Sequence, residues 1–319
     1  RVASRGLGDV YKRQDFVWTK NRASAYGHNL YDAVRGTGKY IASNSSSGEQ
    51  TSASSIVSFD SDGFTVGTGD NVQYESANGV SWNWKANGTG SANTDGSINS
   101  TVSVNQTAGL SIVSWTGNNT NGATVGHGLN SPPSLVIFKN RGATNSWHVY
   151  HKDLSTPQTS LLLLDTNGAT YTSNNYMYGT VPSSSLLYLG NSAATNENGI
   201  DFVAYCFAEK TGYSKFGSYT GNGNADGTFV YTGFKPAWFM MKRTDASGES
   251  WNIQDSTRSA INPVTHELVA DGNNVEYTSG SRGDFLSNGF KIRTTSGGYN
   301  VSGATYIYMA FGQSLVGSN

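Results

Sequence analysis

The sequence predicts an all-β fold: tandem antiparallel β-sandwich domains of jelly-roll-like type, three copies with the first truncated. The first observation behind this is composition. The 319 residues include 39 Gly, and only 13% are charged, about half the usual globular share. Gly, Ser, Thr and Asn fill the difference, and Gly and Asn supply the positive φ that tight turns require. Aromatics at 12% provide apolar mass to bury, which argues against disorder. The second observation is patterning. Short alternating or apolar runs are bounded by turn residues almost throughout, and no amphipathic helix stands out. The third is repetition. Residues 107–151 and 210–255 share a pattern in which Trp115 matches Tyr219 and Trp147 matches Trp251, both at a spacing of 104. A period near a hundred residues suits tandem domains.

Taken in order, residues 1–14 come first. SRGLGDVYKRQ, Ser4 to Gln14, resembles the translation of a transposase sequencing adapter, so natural sequence is expected to start near Asp15. Copy one, 15–85, opens with DFVWTKNR, parallel to SLVIFKNR at 134–141, a spacing of 119. It lacks the segment that begins the later copies, so its sheet is expected to have a missing or open edge. FDSDGF (59–64) predicts a strand, an Asp-Gly turn and a second strand. ANGVSWNWK (77–85) closes the copy. Gly79 is aligned with Gly199 and Gly303, and Trp84 with Phe207 and Phe311. ANGTGSANTDGS, 86–97, is polar and free of aromatics and is expected to be a linker.

Copy two, 98–210, runs through LSIVSW, LVIFK, LLLLD and IDFVAYCF; copy three, 211–319, through KFGSYTG, WFMMK, ELVAD and TYIYMAF. LVIFK and WFMMK have the apolar character of strands buried on both faces. Residues 153–159 and 256–264 are expected to hold at most a helical turn. No spacer separates these copies, so they are expected to abut. The carboxyl end, GQSLVGSN, is expected to be cut short.

Chemistry is sparse. The net charge of −1 gives no electrostatic case for nucleic acid or for an anionic membrane. No stretch is long and apolar enough to span a bilayer as a helix. No signal peptide is visible, and a truncated start would hide one. The single Cys206 precludes an intrachain disulfide and reads as a core residue. His148 and His151 lie at i, i+3, which on a strand faces them apart and disfavours a shared metal. Asp60 and Asp62 lack the rest of a calcium loop. Asp32, His151 and Asp255 recur at one repeat position and are expected to form strand-end hydrogen bonds rather than a catalytic group. Trp147 and Trp251 are expected in the core. No catalytic residue, metal site or cofactor is identified, and the chain is expected not to be an enzyme. The candidate ligand-binding residues are Tyr171, Tyr176 and Tyr178, which fall in the polar stretch TYTSNNYMYGT, because recognition concentrates on loops carried by a rigid scaffold.

Across 15–319, the segments DFVWTKNR, YDAVRG, FDSDGFTVG, NTDGSINSTVSVNQTAGLSIVSWTGN, ATVGHGL, FVAYCFAEKTGYSKFGSYTGNG, FVYTGFKPAW, DFLSNGFKIR and TYIYMAF occur in the order of a known group. The chain resembles the repetitive tail-fibre or tail-associated structural proteins of marine tailed bacteriophages. It departs where Gln14 replaces a proline before Asp15, and where SWNWKANG replaces AWCWKAGG. The resemblance implies an extracellular virion tail component that contacts a host cell-surface glycan or protein and other virion tail proteins. Such fibres are often homotrimers. It supplies no catalytic residue and no known ligand. Rival expectations are a polysaccharide depolymerase, which needs two carboxylates flanking the scissile bond, and a secreted carbohydrate-binding module, which would show an exposed row of aromatics. The copies could also serve as spacers.

Overall fold

The computed structural model describes residues 13–69, 72 and 78–313, and the backbone of 316–317. The proposed adapter segment lies outside the described residues up to residue 12. Arg13 pairs with Asp15 at 2.7 Å and Gln14 is buried.

A first set of strands comprises β1 (Phe16–Asn21), β2 (Asn29–Asp32), β3 (Lys39–Ala42), β4 (Gln50–Thr51), β5 (Ile56–Asp60), β6 (Gly63–Val66) and β7 (Gly79–Trp84). The second comprises β8 (Ser91–Asn93), β9 (Ser100–Asn105), β10 (Leu110–Thr116), β11 (Ala123–Gly126) and β12 (Leu135–Asn140). It continues with β13 (His148–His151), β14 (Ser160–Leu163), β15 (Tyr171–Thr172), β16 (Leu186–Leu189) and β17 (Asp201–Phe207). The third comprises β18 (Ser214–Thr220), β19 (Phe229–Tyr231), β20 (Trp238–Arg243), β21 (Asn252–Asp255) and β22 (Leu268–Val269). It ends with β23 (Gly283–Leu286), β24 (Gly289–Ile292), the four-residue helix α1 (Gly297–Asn300), β25 (Thr305–Phe311) and β26 (Val316–Gly317).

The protein is all-β, and every strand pairing between these elements is antiparallel. One strand order occurs three times. The large sheets run β26-β7-β1-β2-β3-β4, β15-β14-β13-β12-β17-β10-β9-β8 and β18-β25-β20-β21-β22. In each, a completely or almost completely buried strand (β1, β12 or β20) lies between the closing strand of its set and a hairpin partner. Smaller sheets, β5-β6, β11-β16 and β19-β24-β23, cover the outer faces. The alternation explains both layers. In β10, Leu110 and Ile112 enter one apolar cluster while Val113 and Trp115 enter another.

The location of the cores differs from the expectation of separate tandem units. Each set has a sandwich cluster of its own: one around Tyr31 and Phe64, one around Trp115 and Phe138, one around Phe239 and Phe290. A further cluster is common to all three and includes Trp18, Trp82, Trp147, Tyr205, Trp238 and Trp251. Three backbone hydrogen bonds close a ring around it: Glu49 N to Arg141 O, Thr170 N to Thr244 O, and Glu276 N to Arg22 O, at 2.8, 2.9 and 2.8 Å. The first set thus bonds to the second, the second to the third and the third to the first.

Residues 86–97 are not a free linker. Ala86 is buried in the shared cluster, β8 pairs with β9, and Ser97 N donates to Thr124 Oγ1 at 2.9 Å. A side chain at Gly96 would lie 2.4 Å from the Thr124 carbonyl oxygen, so only glycine permits this approach. The edge of β7 is not left open either, because Val316 and Gly317 pair with Trp82 and Ser81. Trp84, Phe207 and Phe311 do occupy equivalent positions, opposite Phe16, Leu135 and Trp238. Gly79, however, sits opposite Asn21, the place taken by Phe202 opposite Asn140, so its alignment with Gly199 is displaced by the shorter β7. The segments 153–159 and 256–264 hold turns and bends without helix, and Val264 ends the second in a bridge to Gly283.

Candidate binding surfaces and the junctions beneath them

The recurrent position at the end of the second strand builds the junctions between sets. Asp32, His151 and Asp255 lie opposite Phe16, Leu135 and Trp238, and all three are buried. The Asp32 carboxylate accepts from Arg35 Nε at 2.5 Å and from the Tyr205 hydroxyl at 2.7 Å. Arg35 also reaches Glu49 at 3.3 Å, and Arg141 grips Glu49 through two bonds of 3.0 Å. The third-to-first junction repeats the arrangement. Asp255 accepts from Arg258 at 2.5 Å and from Trp82 Nε1 at 3.1 Å. Arg258 and Arg22 both bind Glu276, at 2.8 and 2.6 Å. Both of these junctions thus hold two guanidiniums against two carboxylates.

The second-to-third junction changes all five positions together. His151 replaces the aspartate, Leu154 the first arginine, Thr170 the glutamate, Thr244 the second arginine and Met309 the hydroxyl or indole donor. His151 Nε2 lies 3.2 Å from the Tyr308 carbonyl, and burial pulls its pKa down to about 4. A neutral imidazole leaves no buried charge to compensate, so no arginine is needed. The strand-end hydrogen-bonding role expected of these three residues is what the geometry gives.

A second recurring element is a buried lysine beside each junction. Lys139 Nζ bonds to the Ser46 carbonyl at 2.8 Å, across the first-to-second junction, and Lys20 lies 3.4 Å from the Asn273 carbonyl, across the third-to-first. Burial pushes the ammonium pKa of Lys20, Lys139 and Lys242 down to about 8. Trp147 and Trp251 are buried as expected, and each indole N–H donates at 2.8 Å to the preceding set, to Ala42 O and Leu163 O. Cys206 is fully buried in the second sandwich cluster.

The three candidate tyrosines do not form one surface. Tyr176 stacks on His148 with ring centroids 4.5 Å apart, and Tyr171 meets both rings edge-on. Both pack against the second sandwich cluster. His148 and His151 face opposite sides, and no group of His, Cys, Asp or Glu among the described residues could hold a metal. Tyr178 stands apart: it is 50% exposed, has a left-handed φ of 55°, and lies over Gly122. With Asn121, Thr159, Asn174 and Asn175 it lines a depression of about 370 Å³.

A second exposed aromatic surface was not anticipated. On the outer sheet of the third set, Val230, Phe285, Phe290 and Ile292 point into the sandwich. Strand alternation therefore turns Phe229, Tyr231, Lys291 and Asp284 to the opposite face, where Asp284 stays buried beneath Arg293. Phe229 and Tyr231 are 43% and 64% exposed. Lys291 and Arg293 each contact Asp226 at 2.9 Å, and Arg293 also binds Asp284 at 2.6 Å. The hydrogen bond from Lys291 holds the Asp226 carboxyl below its ordinary pKa. A depression of about 510 Å³ adjoins this row, lined by Asn262, Pro263, Ser281, Asp284 and Arg293. The signal was present in the sequence as two aromatics flanking a valine in FVY, the period of a strand with one wet face.

Residues 3–314 match the family described as Domain of unknown function (DUF7483), and the chain belongs to that family. No curated protein and no solved structure matches it.

Proposed function

We propose that this protein is a non-enzymatic structural component of a phage virion, a tail-fibre segment outside the particle that contributes to host-cell attachment. The observation that carries the reading is the shared core. Three strand sets closed into a ring by backbone and ionic contacts make a stiff body, while loops and outer sheets face solvent. Rigid scaffolds that present loops and aromatics suit recognition, with weak contacts multiplied by repetition. The sequence resemblance to marine phage tail fibres supports the same reading. Its partners would be a host cell-surface glycan or protein, neighbouring tail proteins and, in a homotrimeric fibre, further copies of the chain.

The experiment is depletion of the full chain from solution by a panel of marine bacterial strains, with reducing sugar assayed in parallel. Depletion by some strains without sugar release is the expected result. Sugar release would convert the reading to a depolymerase. No depletion by any strain would leave the spacer role in its place.

A further inference from the structure

We infer that the outward face of the β19-β24-β23 sheet is a binding site for an uncharged polysaccharide. The inference rests on the attachment reading and gives it a ligand class. Phe229 and Tyr231 are two residues apart on β19 and share one face, roughly 7 Å apart along the strand. Their rings lie close against backbone that lacks side chains. A Cβ on Gly289 would meet Phe229 ring carbons at 3.0 Å, and one on Gly233 would lie 3.6 Å from the Tyr231 hydroxyl and 3.8 Å from its ring. Glycine on the neighbouring strand therefore lets an aromatic ring settle on the sheet. A ring held against the sheet and open to solvent offers the flat apolar surface that stacks on the C–H face of a sugar.

The polar part of the face fixes the charge of the ligand. Reading across the strands, Phe229 lies opposite Lys291, which lies opposite Asp284. Lys291 and Arg293 are matched by Asp226 and Asp284, so two cations meet two carboxylates. A self-neutralised row has hydrogen-bonding edges for hydroxyl groups but no surplus charge to attract an acidic or basic ligand. The adjoining 510 Å³ depression falls within the range of small-ligand sites and extends the platform past Arg293. A protein strand is a poorer occupant, because β19 offers an edge of only three residues.

The test is affinity electrophoresis of the full chain in gels containing dextran, mannan, galactan or laminarin, alongside the cell-depletion assay. Three proteins are compared: wild type, a Phe229→Ala/Tyr231→Ala double variant, and a Phe229→Tyr/Tyr231→Phe variant that keeps both rings. Because both side chains are exposed, folding is checked by circular dichroism and is expected to be unchanged. Wild type should be retarded by at least one polysaccharide. The alanine variant should lose about ten-fold or more in apparent affinity, and the ring-preserving variant should keep most of it. Retardation unaffected by the alanine pair, or absent with all four polysaccharides, would overturn the site. Cell depletion that survives such a failure would leave attachment standing, whereas polysaccharide binding without cell depletion would do the reverse.

Discussion

The Tyr205 hydroxyl donates a 2.7 Å hydrogen bond to the Asp32 carboxylate, 173 residues earlier in the chain. Trp82 does the same for Asp255 at the third-to-first junction. Where the equivalent donor position holds Met309, the acceptor position holds His151 and the arginine has become Leu154. One protein thus contains two solutions to the same buried contact, one ionic and one neutral. Buried ion pairs gain little over apolar substitutes when all members are exchanged, yet cost heavily when one member is lost.

Asp32→Ala strands the Arg35 guanidinium, whose side chain is fully buried, and should destabilise by about 3–5 kcal/mol. Tyr205→Phe removes both the hydrogen bond donated to Asp32 and the one accepted from Arg35 at 3.1 Å, and should cost about 1–3 kcal/mol. Replacing all five positions of the first-to-second junction with the residues of the neutral one (Asp32→His, Arg35→Leu, Glu49→Thr, Arg141→Thr, Tyr205→Met) should recover most of the loss. Urea midpoints of the three variants and wild type measure this. A quintuple variant less stable than Asp32→Ala would show that the five positions do not act as a unit.

Trp147 and Trp251 tie neighbouring sets together through their indole N–H groups. Trp147→Phe should cost about 1–3 kcal/mol through the lost bond, the Ala42 carbonyl keeping only the Ser45 N–H at 3.3 Å, and Trp147→Ala about 3–5 kcal/mol. Equilibrium unfolding followed by tryptophan fluorescence and circular dichroism together gives both values.

The strands that alternation and turn chemistry mark were legible in the sequence. LVIFK and WFMMK are the buried centres of their sheets, and the Asp-Gly turn of FDSDGF joins β5 to β6. The recurrence of Asp32, His151 and Asp255 was legible too, as was their structural role. The shared core was not, because periodicity along one strand says which faces are apolar and not which set covers them. Residues 86–97 misled for a related reason: a Gly- and Asn-rich composition suits a spacer, but it also suits backbone packed against backbone. Tyr171 and Tyr176 looked loop-like because their flanks are polar, while their rings are held by His148 across the sheet.

pH should affect stability from two sides. His148 and His151 are held down to about 4 by burial, and His28 is lowered as well. Their unfolded forms take up protons near pH 6.5 while the folded forms do not, so stability should fall as pH drops from about 6.5 towards 4. The three lysines lie at about 8 when folded against about 10.4 unfolded. Between those values the unfolded chain binds more protons at the lysines, so they should raise stability from pH 8 to about 9.5, above which the raised Cys206 thiol and buried tyrosines such as Tyr205 and Tyr219 oppose them. Urea midpoints at pH 5, 7, 8 and 9.5 test both slopes; a flat profile from 7 down to 5 would contradict the buried histidines.

Cys206 is enclosed in the second sandwich cluster, and burial raises its thiol well above the ordinary range. It should resist a thiol reagent such as dithionitrobenzoate in the native protein and react fully in urea. Rapid labelling under native conditions would mean that the second sandwich opens without global unfolding.

The exposed and packed tyrosines should separate by stability. Tyr178→Ala should change it by no more than about 0.5 kcal/mol. Tyr176→Ala removes the ring stacked on His148 and should cost about 1–3 kcal/mol. Thermal melts of the two variants make the comparison.

The central claim is that the three strand sets form one body on one core. Differential scanning calorimetry of the full chain tests it most directly. The shared cluster of Trp18, Trp82, Trp147, Tyr205, Trp238 and Trp251 predicts a single transition whose calorimetric and van't Hoff enthalpies agree. Two or three resolved transitions, each with the enthalpy of about a hundred residues, would mean that the sets unfold independently and would contradict the claim.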